Sequence, residues 1–180
     1  TNTCLLLVVD RSASGDRVLG DYSRIVRLGE GLDQSGSFSD KAQSRVMECL
    51  KEYLALVRDF GGQSQDTRCV ATASARDSSN ADGFFQRIQE QLGFSFETIS
   101  GEKEAKLALR GALLDTMKPQ DTLVVDVGGG STEFATDGFF QSLQMGSVRF
   151  TERYLQTDPV TDQEFWQCQA AIDQALNSLN

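Results

Sequence analysis

The chain has 180 residues, enough for one domain with a sizeable core, and its 39% hydrophobic and 24% charged residues are those of a globular protein. A formal charge of −9 argues against a general nucleic-acid binder, no apolar run approaches the ~20 residues of a membrane span, and no signal peptide is visible. There is no histidine, which removes histidine triads, histidine-ligated zinc and histidine general bases together, so hydrolytic chemistry here has to run on carboxylates and a hard metal. The four cysteines, Cys4, Cys49, Cys69 and Cys168, are widely spaced without a CxxC pair, the pattern of reduced buried thiols in a cytoplasm.

In chain order, the polar cluster Thr1-Asn2-Thr3 opens onto Cys4 to Val9, an apolar run expected to be a strand buried on both faces and the middle of a hairpin whose first strand precedes Thr1. Arg17–Asp21 and Ser23–Leu28 alternate as two further strands, ending in the turn Gly29-Glu30-Gly31. From Ser39 to Phe60 the period becomes helical, with Val46, Leu50, Tyr53, Leu54, Val57 and Phe60 on one face, Ser39 as N-cap and Gly61-Gly62 as the stop. Arg68–Thr72 predicts a strand and Ala73–Asn80 a polar segment, followed by a helix from about Ala81 to Leu92 and a strand from Ser95 to Ile99. A helix from Glu102 to about Asp115 should turn Ala105, Ala108, Leu109, Ala112 and Leu113 inward. Beyond the central motif come a strand at Phe139–Leu143, a short helix after Met145-Gly146-Ser147, and a last helix with Thr161 and Glu164 as capping box. Strands alternating with helices at this spacing indicate one α/β domain over residues 1–180 with a mixed sheet, and the two glycine-turn hairpins, early and late, hint at a duplicated phosphate clamp.

The chemistry is concentrated in Leu123 to Phe134. An apolar run delivers Asp126, then Gly128-Gly129-Gly130 follow, and Ser131-Thr132 lead into a more polar strand carrying Glu133. Glycines let backbone N–H groups approach an anion, and Ser131 and Thr132 can add hydroxyl donors. Asp126 and Glu133 are hard oxygen ligands suited to a Mg2+ that is itself bound to phosphate oxygens. A plain hairpin accounts for the triplet alone; two flanking carboxylates favour phosphate or metal–phosphate binding.

Three polar segments that adjoin strands, Thr1–Thr3, Ser74–Asn80 and Gly128–Ser131, could converge at one edge, where open α/β sheets bind ligands. Arg76 stands among Ser74, Ser78 and Asn80 just before a helix start, a setting for an anion; a surface ion pair with Asp77 or Asp82 fits equally well. Glu102 and Glu104 open a helix, where acidic residues ordinarily complement the dipole, but a carboxylate near a metal is also the natural group to deprotonate a water.

These segments together resemble the exopolyphosphatase and guanosine pentaphosphate phosphohydrolase family. Asp126-Val127-Gly128-Gly129-Gly130-Ser131-Thr132-Glu133 resembles its second phosphate motif, Ile99–Ala105 the segment bearing its catalytic glutamate, Thr72–Asn80 its arginine loop, Met145–Arg153 its following helix start, and Thr1–Thr3 the end of its first phosphate motif. The resemblance implies an actin-like, ribonuclease H-type α/β domain with a mixed sheet flanked by helices, the first half of a two-domain cleft enzyme. It implies Mg2+-dependent release of terminal phosphate from polyphosphate or guanosine pentaphosphate, in the cytoplasm and in the setting of the stringent response, with no nucleic-acid or membrane partner and with a homodimer as one assembly open to such an enzyme. Residue by residue, Glu104 would be the general base, with Glu102 a weaker choice. Asp126 and Glu133 would hold the metal, directly or through water. Asn2, Thr3, Arg76, Gly128, Gly129, Gly130 and Ser131 would bind phosphate. The start of the first motif and the second domain are expected to lie outside these 180 residues. Two other classes compete: half of an actin-like kinase or ATPase, and a non-catalytic phosphate or alarmone sensor that would have no need of Glu104.

Overall fold

The computed structural model describes residues 2–13, 15–113 and 118–179. The chain divides into two compact units, residues 1–98 and 99–180. In the first, β1 (Thr3–Ser12) and β2 (Gly15–Ile25) form an antiparallel hairpin whose register shifts by a bulge between Val8 and Val9. Tyr22 opposes Leu6 and Asp21 opposes Leu7, so the segment expected as two strands is one. No turn residue interrupts it at Tyr22, and the ladder carries straight through. The run Cys4–Val9 is not buried on both faces. Leu5 and Leu7 are 72% and 58% exposed, whereas Cys4 and Leu6 pack on the core, because in these units only one face of the hairpin is covered. Thr1 lies outside the described residues.

A short helix α1 (Leu32–Ser35) follows, and then α2 (Asp40–Asp59), capped by Ser39, whose hydroxyl accepts from the N–H of Ala42. Its inward stripe, Val46, Leu50, Tyr53, Leu54 and Val57, is buried as the period predicts. Phe60 is not, because the helix ends at Asp59 and the chain leaves that face. β3 (Cys69–Ala71) pairs in parallel with β4 (Phe96–Thr98) around α3 (Ala73–Asp77) and α4 (Ala81–Leu92). Both antiparallel and parallel pairings are therefore present, distributed over separate small sheets. Phe38 and Phe84 meet edge-on with centroids 6.1 Å apart, and Asn80 grips both polar groups of Phe38. With that amide engaged, Asn80 starts α4 without capping it through its side chain. The four thiols are free, and burial pushes that of Cys4 up to about 12.

The second unit begins with α5 (Gly101–Ala112), capped by Ser100, and a three-stranded antiparallel sheet, β5 (Val124–Val127), β6 (Thr132–Thr136) and β7 (Phe139–Leu143). Ala105 and Leu109 are buried as expected, but Ala112 is exposed on the last turn of α5. The predicted helix end near Asp115 lies outside the described residues. α6 (Ser147–Tyr154) and α7 (Asp162–Leu176) pack on each other. Gln141 ties β7 to the carbonyl of Ser178, just beyond α7.

The capping box at Thr161 and Glu164 forms as the sequence predicts and goes further. The N–H groups of Gln156, Thr157 and Thr161 and the hydroxyls of Thr157 and Thr161 all donate to the Glu164 carboxylate. Those bonds, the Thr157 hydroxyl foremost, hold its pKa at about 2 against an ordinary 4.5. A carboxyl whose folded pKa is depressed stabilises the fold above its unfolded value and loses that contribution as the pH falls towards the folded one. Acidification from 4.5 towards about 2 should therefore open the connection between α6 and α7. Amide exchange at Gln156, Thr157 and Thr161 should accelerate there, with α2 still protected, and Glu164→Gln should reproduce the pattern at neutral pH. Unchanged protection in that variant would remove the role.

Candidate active site

Strand register builds the site. Asp126 on β5 opposes Glu133 on β6, which opposes Ser142 on β7. Directly opposed residues share a face, so these three form one polar row across the sheet. Two residues along, Val124, Ala135 and Phe140 make a second, apolar row on the same face. It packs against Ala105, Leu109 and Leu113. α5 thus lays its apolar stripe on the apolar row, and Glu104, one residue before Ala105, approaches the polar row closely enough for its charge to act on Glu133.

Glu133 is only 1% exposed. Its Oε1 accepts from Ser131 Oγ and Ser142 Oγ, each at 2.7 Å. Burial raises its pKa, the two hydroxyls pull it down, and the negative charges of Glu104 and Asp126 push it up again. Asp126 is exposed and Glu104 half-buried. Glu102 is exposed and held by Lys106 Nζ at 2.5 Å, which lowers its pKa. That pair turns Glu102 along the helix surface and leaves Glu104 as the carboxylate of α5 beside the row.

The glycine turn is gripped from one side. The Gly128 carbonyl accepts from Ser147 N at 2.9 Å, the Gly129 carbonyl from Val148 N and Arg149 N at 3.0 Å each, and the Gly130 carbonyl from Arg149 Nε at 2.8 Å. Gly128 N closes the turn on the Ser131 carbonyl at 2.9 Å, and Thr132 Oγ1 donates to the Met145 carbonyl. In a trans peptide the carbonyl and the next N–H point opposite ways. Three carbonyls directed at the start of α6 therefore turn the N–H groups of Gly129, Gly130 and Ser131 away from it, and successive N–H groups on one side of a turn are a common means of binding an anion. Left-handed glycines among the described residues lie elsewhere, at Gly15, Gly31, Gly36, Gly61, Gly93 and Gly138. What this turn needs is close approach: a Cβ on Gly146 would stand 2.5 Å from Gly129 C and O and from Gly130 N.

The structure thus brings together Glu104, Asp126, Glu133 and Gly128–Ser131 in the second unit. Asn2, Thr3 and Arg76 belong to the first. Asn2 offers its carbonyl to the N–H groups of Val26 and Arg27, both at 2.9 Å, Thr3 opens β1, and Arg76 is half-buried in the last turn of α3. The polar segment expected before α4, which resembles the family's arginine loop, contains that short helix, started by Ala75 and Arg76 N–H groups on the Thr72 carbonyl. Pattern reading gives no role to Ser142, Gly146 or Arg149. Their signal is register and packing: Ser142 is found by extending the Asp126–Glu133 pairing one strand further, and Gly146 and Arg149 only once α6 is seen against the turn.

Among the described residues no group of three or more Asp, Glu, Cys or His side chains is arranged to hold a metal ion. Mg2+ is commonly held by one or two carboxylates, with waters and substrate phosphates completing its octahedron. The donors here fit that pattern, Asp126 as an exposed carboxylate and Glu133, with one oxygen engaged by two serines, through water.

The model of the Ppx/GppA phosphatase family matches residues 8–180. Among solved structures, an exopolyphosphatase-like protein is 31% identical with a TM-score of 0.83, the match covering 98% of this chain and 58% of that one. An exopolyphosphatase from Cytophaga hutchinsonii is 26% identical with a TM-score of 0.85, over 98% of this chain and 58% of that one. The Ppx/GppA family member of Aquifex aeolicus is 26% identical with a TM-score of 0.68, over 92% and 55%. The chain therefore spans less than two thirds of the length of these relatives. Its architecture is the mixed α/β, actin-like fold of those proteins. With the motif, the fold and the family model in agreement over residues 8–180, the chain belongs to the Ppx/GppA phosphatase family.

Proposed function

We propose that the protein hydrolyses the terminal phosphoanhydride bond of inorganic polyphosphate or guanosine pentaphosphate, in the cytoplasm and with Mg2+. The observation that carries this reading is the hold of α6 on the carbonyls of Gly128, Gly129 and Gly130, which turns the N–H groups of Gly129, Gly130 and Ser131 away from that helix in the same turn that joins Asp126 to Glu133. Family membership supports the reaction class, and the similar proteins include an exopolyphosphatase.

In this reading the N–H groups of the turn bind oxygens of the phosphate; Asn2, Thr3 and Arg76 are the further phosphate ligands that the family resemblance implies. Asp126 and, through water, Glu133 would hold Mg2+. When bound, Mg2+ supplies positive charge to phosphate oxygens as the anhydride breaks. Glu104 accepts a proton from a water, the water oxygen bonds to the terminal phosphorus, and the bridging P–O bond breaks with its electron pair leaving on the shortened chain. Glu102 is unsuited to the task, since Lys106 holds its carboxylate and lowers its basicity.

The first test is phosphate release by the full-length protein from polyphosphate, guanosine pentaphosphate and ATP, with and without Mg2+. Mg2+-dependent release from either of the first two, with ATP slow, is expected; binding without release would make the protein a sensor. Glu104→Gln should lower kcat by about 100- to 10,000-fold, the usual worth of a general base, with phosphate binding retained. Wild-type turnover in that variant would remove its role. Arg76→Ala should raise KM for polyphosphate more than it lowers kcat, and identical kinetics would return Arg76 to a surface ion pair. Gly146→Ala, which forces a Cβ into the backbone of Gly129 and Gly130, should weaken orthophosphate binding without displacing Glu104. Equal affinity in isothermal titration would sink the part assigned to the turn.

A further inference from the structure

Ser142 is half-buried on β7, outside the glycine motif, yet its hydroxyl reaches the buried Glu133 carboxylate as closely as Ser131 does from within the motif. Both hydroxyls meet the same oxygen, Oε1, one from two residues earlier, in the turn before β6, and the other from directly across on β7. A carboxylate on a flexible three-torsion side chain has several orientations open to it. Two donors from separate backbones on one oxygen leave it a single one. That orientation keeps Glu133 in the row between Asp126 and Ser142, with Glu104 close by on α5.

We infer that Ser142 is a positioning residue, which fixes the Glu133 carboxylate so that it and Asp126 present oxygens to one divalent cation. The inference rests on the hydrolase reading of the same carboxylates. Ser142 itself touches neither phosphate nor the attacking water in this assignment; it acts through Glu133. Partners that orient a ligand from behind typically govern about 10- to 100-fold in metal affinity or activity.

The test measures Mn2+ binding by electron paramagnetic resonance and Mg2+-dependent phosphate release in the full-length wild type, Ser142→Ala and Ser142→Thr. Removing the hydroxyl should weaken Mn2+ binding by about 10-fold or more and raise the half-saturating Mg2+ concentration in step, with KM for polyphosphate at saturating Mg2+ little changed. Threonine keeps the hydroxyl on the same strand and should restore both to within about twofold, which a loss of packing alone would not produce. If Ser142→Ala binds Mn2+ as the wild type does, or if threonine is as impaired as alanine, the inference falls while the hydrolase reading stands. If no substrate is hydrolysed by the wild type but the Mn2+ series behaves as expected, positioning by Ser142 holds and the hydrolase reading falls. A wild type that binds no Mn2+ overturns the inference outright.

Discussion

The second unit depends on a carboxylate that has been taken out of water. Glu133 sits in the middle strand of a three-stranded sheet, under a helix, almost without exposure. Removing a charged group from solvent costs several kcal/mol unless hydrogen bonds replace its hydration. Here they come from both sides, from Ser131 in the preceding turn and from Ser142 across on β7. The rest of the arrangement is what that requires. β6 must be central so that a neighbour can supply a donor, the glycine turn must deliver Ser131 on the correct face, and α5 must stop its apolar stripe at Ala105 so that the row beyond stays polar.

A second constraint is geometric. A tight turn normally leaves its carbonyls and its N–H groups to water alike. In this protein the start of α6 takes up the carbonyls of Gly128, Gly129 and Gly130, and the opposite set of donors is left facing the other way. The grip works in both directions, because the same bonds satisfy the first N–H groups of α6, which a helix otherwise leaves without partners. Gly146 makes it feasible: any side chain there would occupy the space of the turn's own backbone. The direction of the turn's donors and the start of α6 are thereby one feature of the chain.

The two units divide the candidate residues. The carboxylate row and the donor turn form inside the second unit, from elements close in sequence. The polar residues of the first unit stand on a different core, built from α2, α4 and Phe38, where Asn80 fastens the loop after α3 to the connection between α1 and α2. Ser78 of the arginine segment also donates to Asn80, at 2.7 Å, so one amide holds both connections.

Much of this was legible in the residues. The helical period of α2, the caps at Ser39 and Thr161, the stop at Gly93 and the strand-turn-strand around Gly128–Gly130 are local, decided by side chains within a few positions of one another, and they formed where the pattern put them. Asp126 and Glu133 could be singled out for the same reason, as they flank one turn. The exposure of Leu5 and Leu7 could not, because an apolar run states what a strand could bury and says nothing of what covers it. Nor could the split of one domain into two units, or the single strand β2 where a break was expected. Ser142 and the hold of α6 on the turn were beyond the sequence as well, since hydrogen bonds between residues 9 and about 20 positions apart depend on strand order and helix placement. Sequence by itself determined which chemistry the chain carries; tertiary structure decided which carboxylate is buried, which oxygen is held and which way the donors point, because burial and direction are properties of packing between segments.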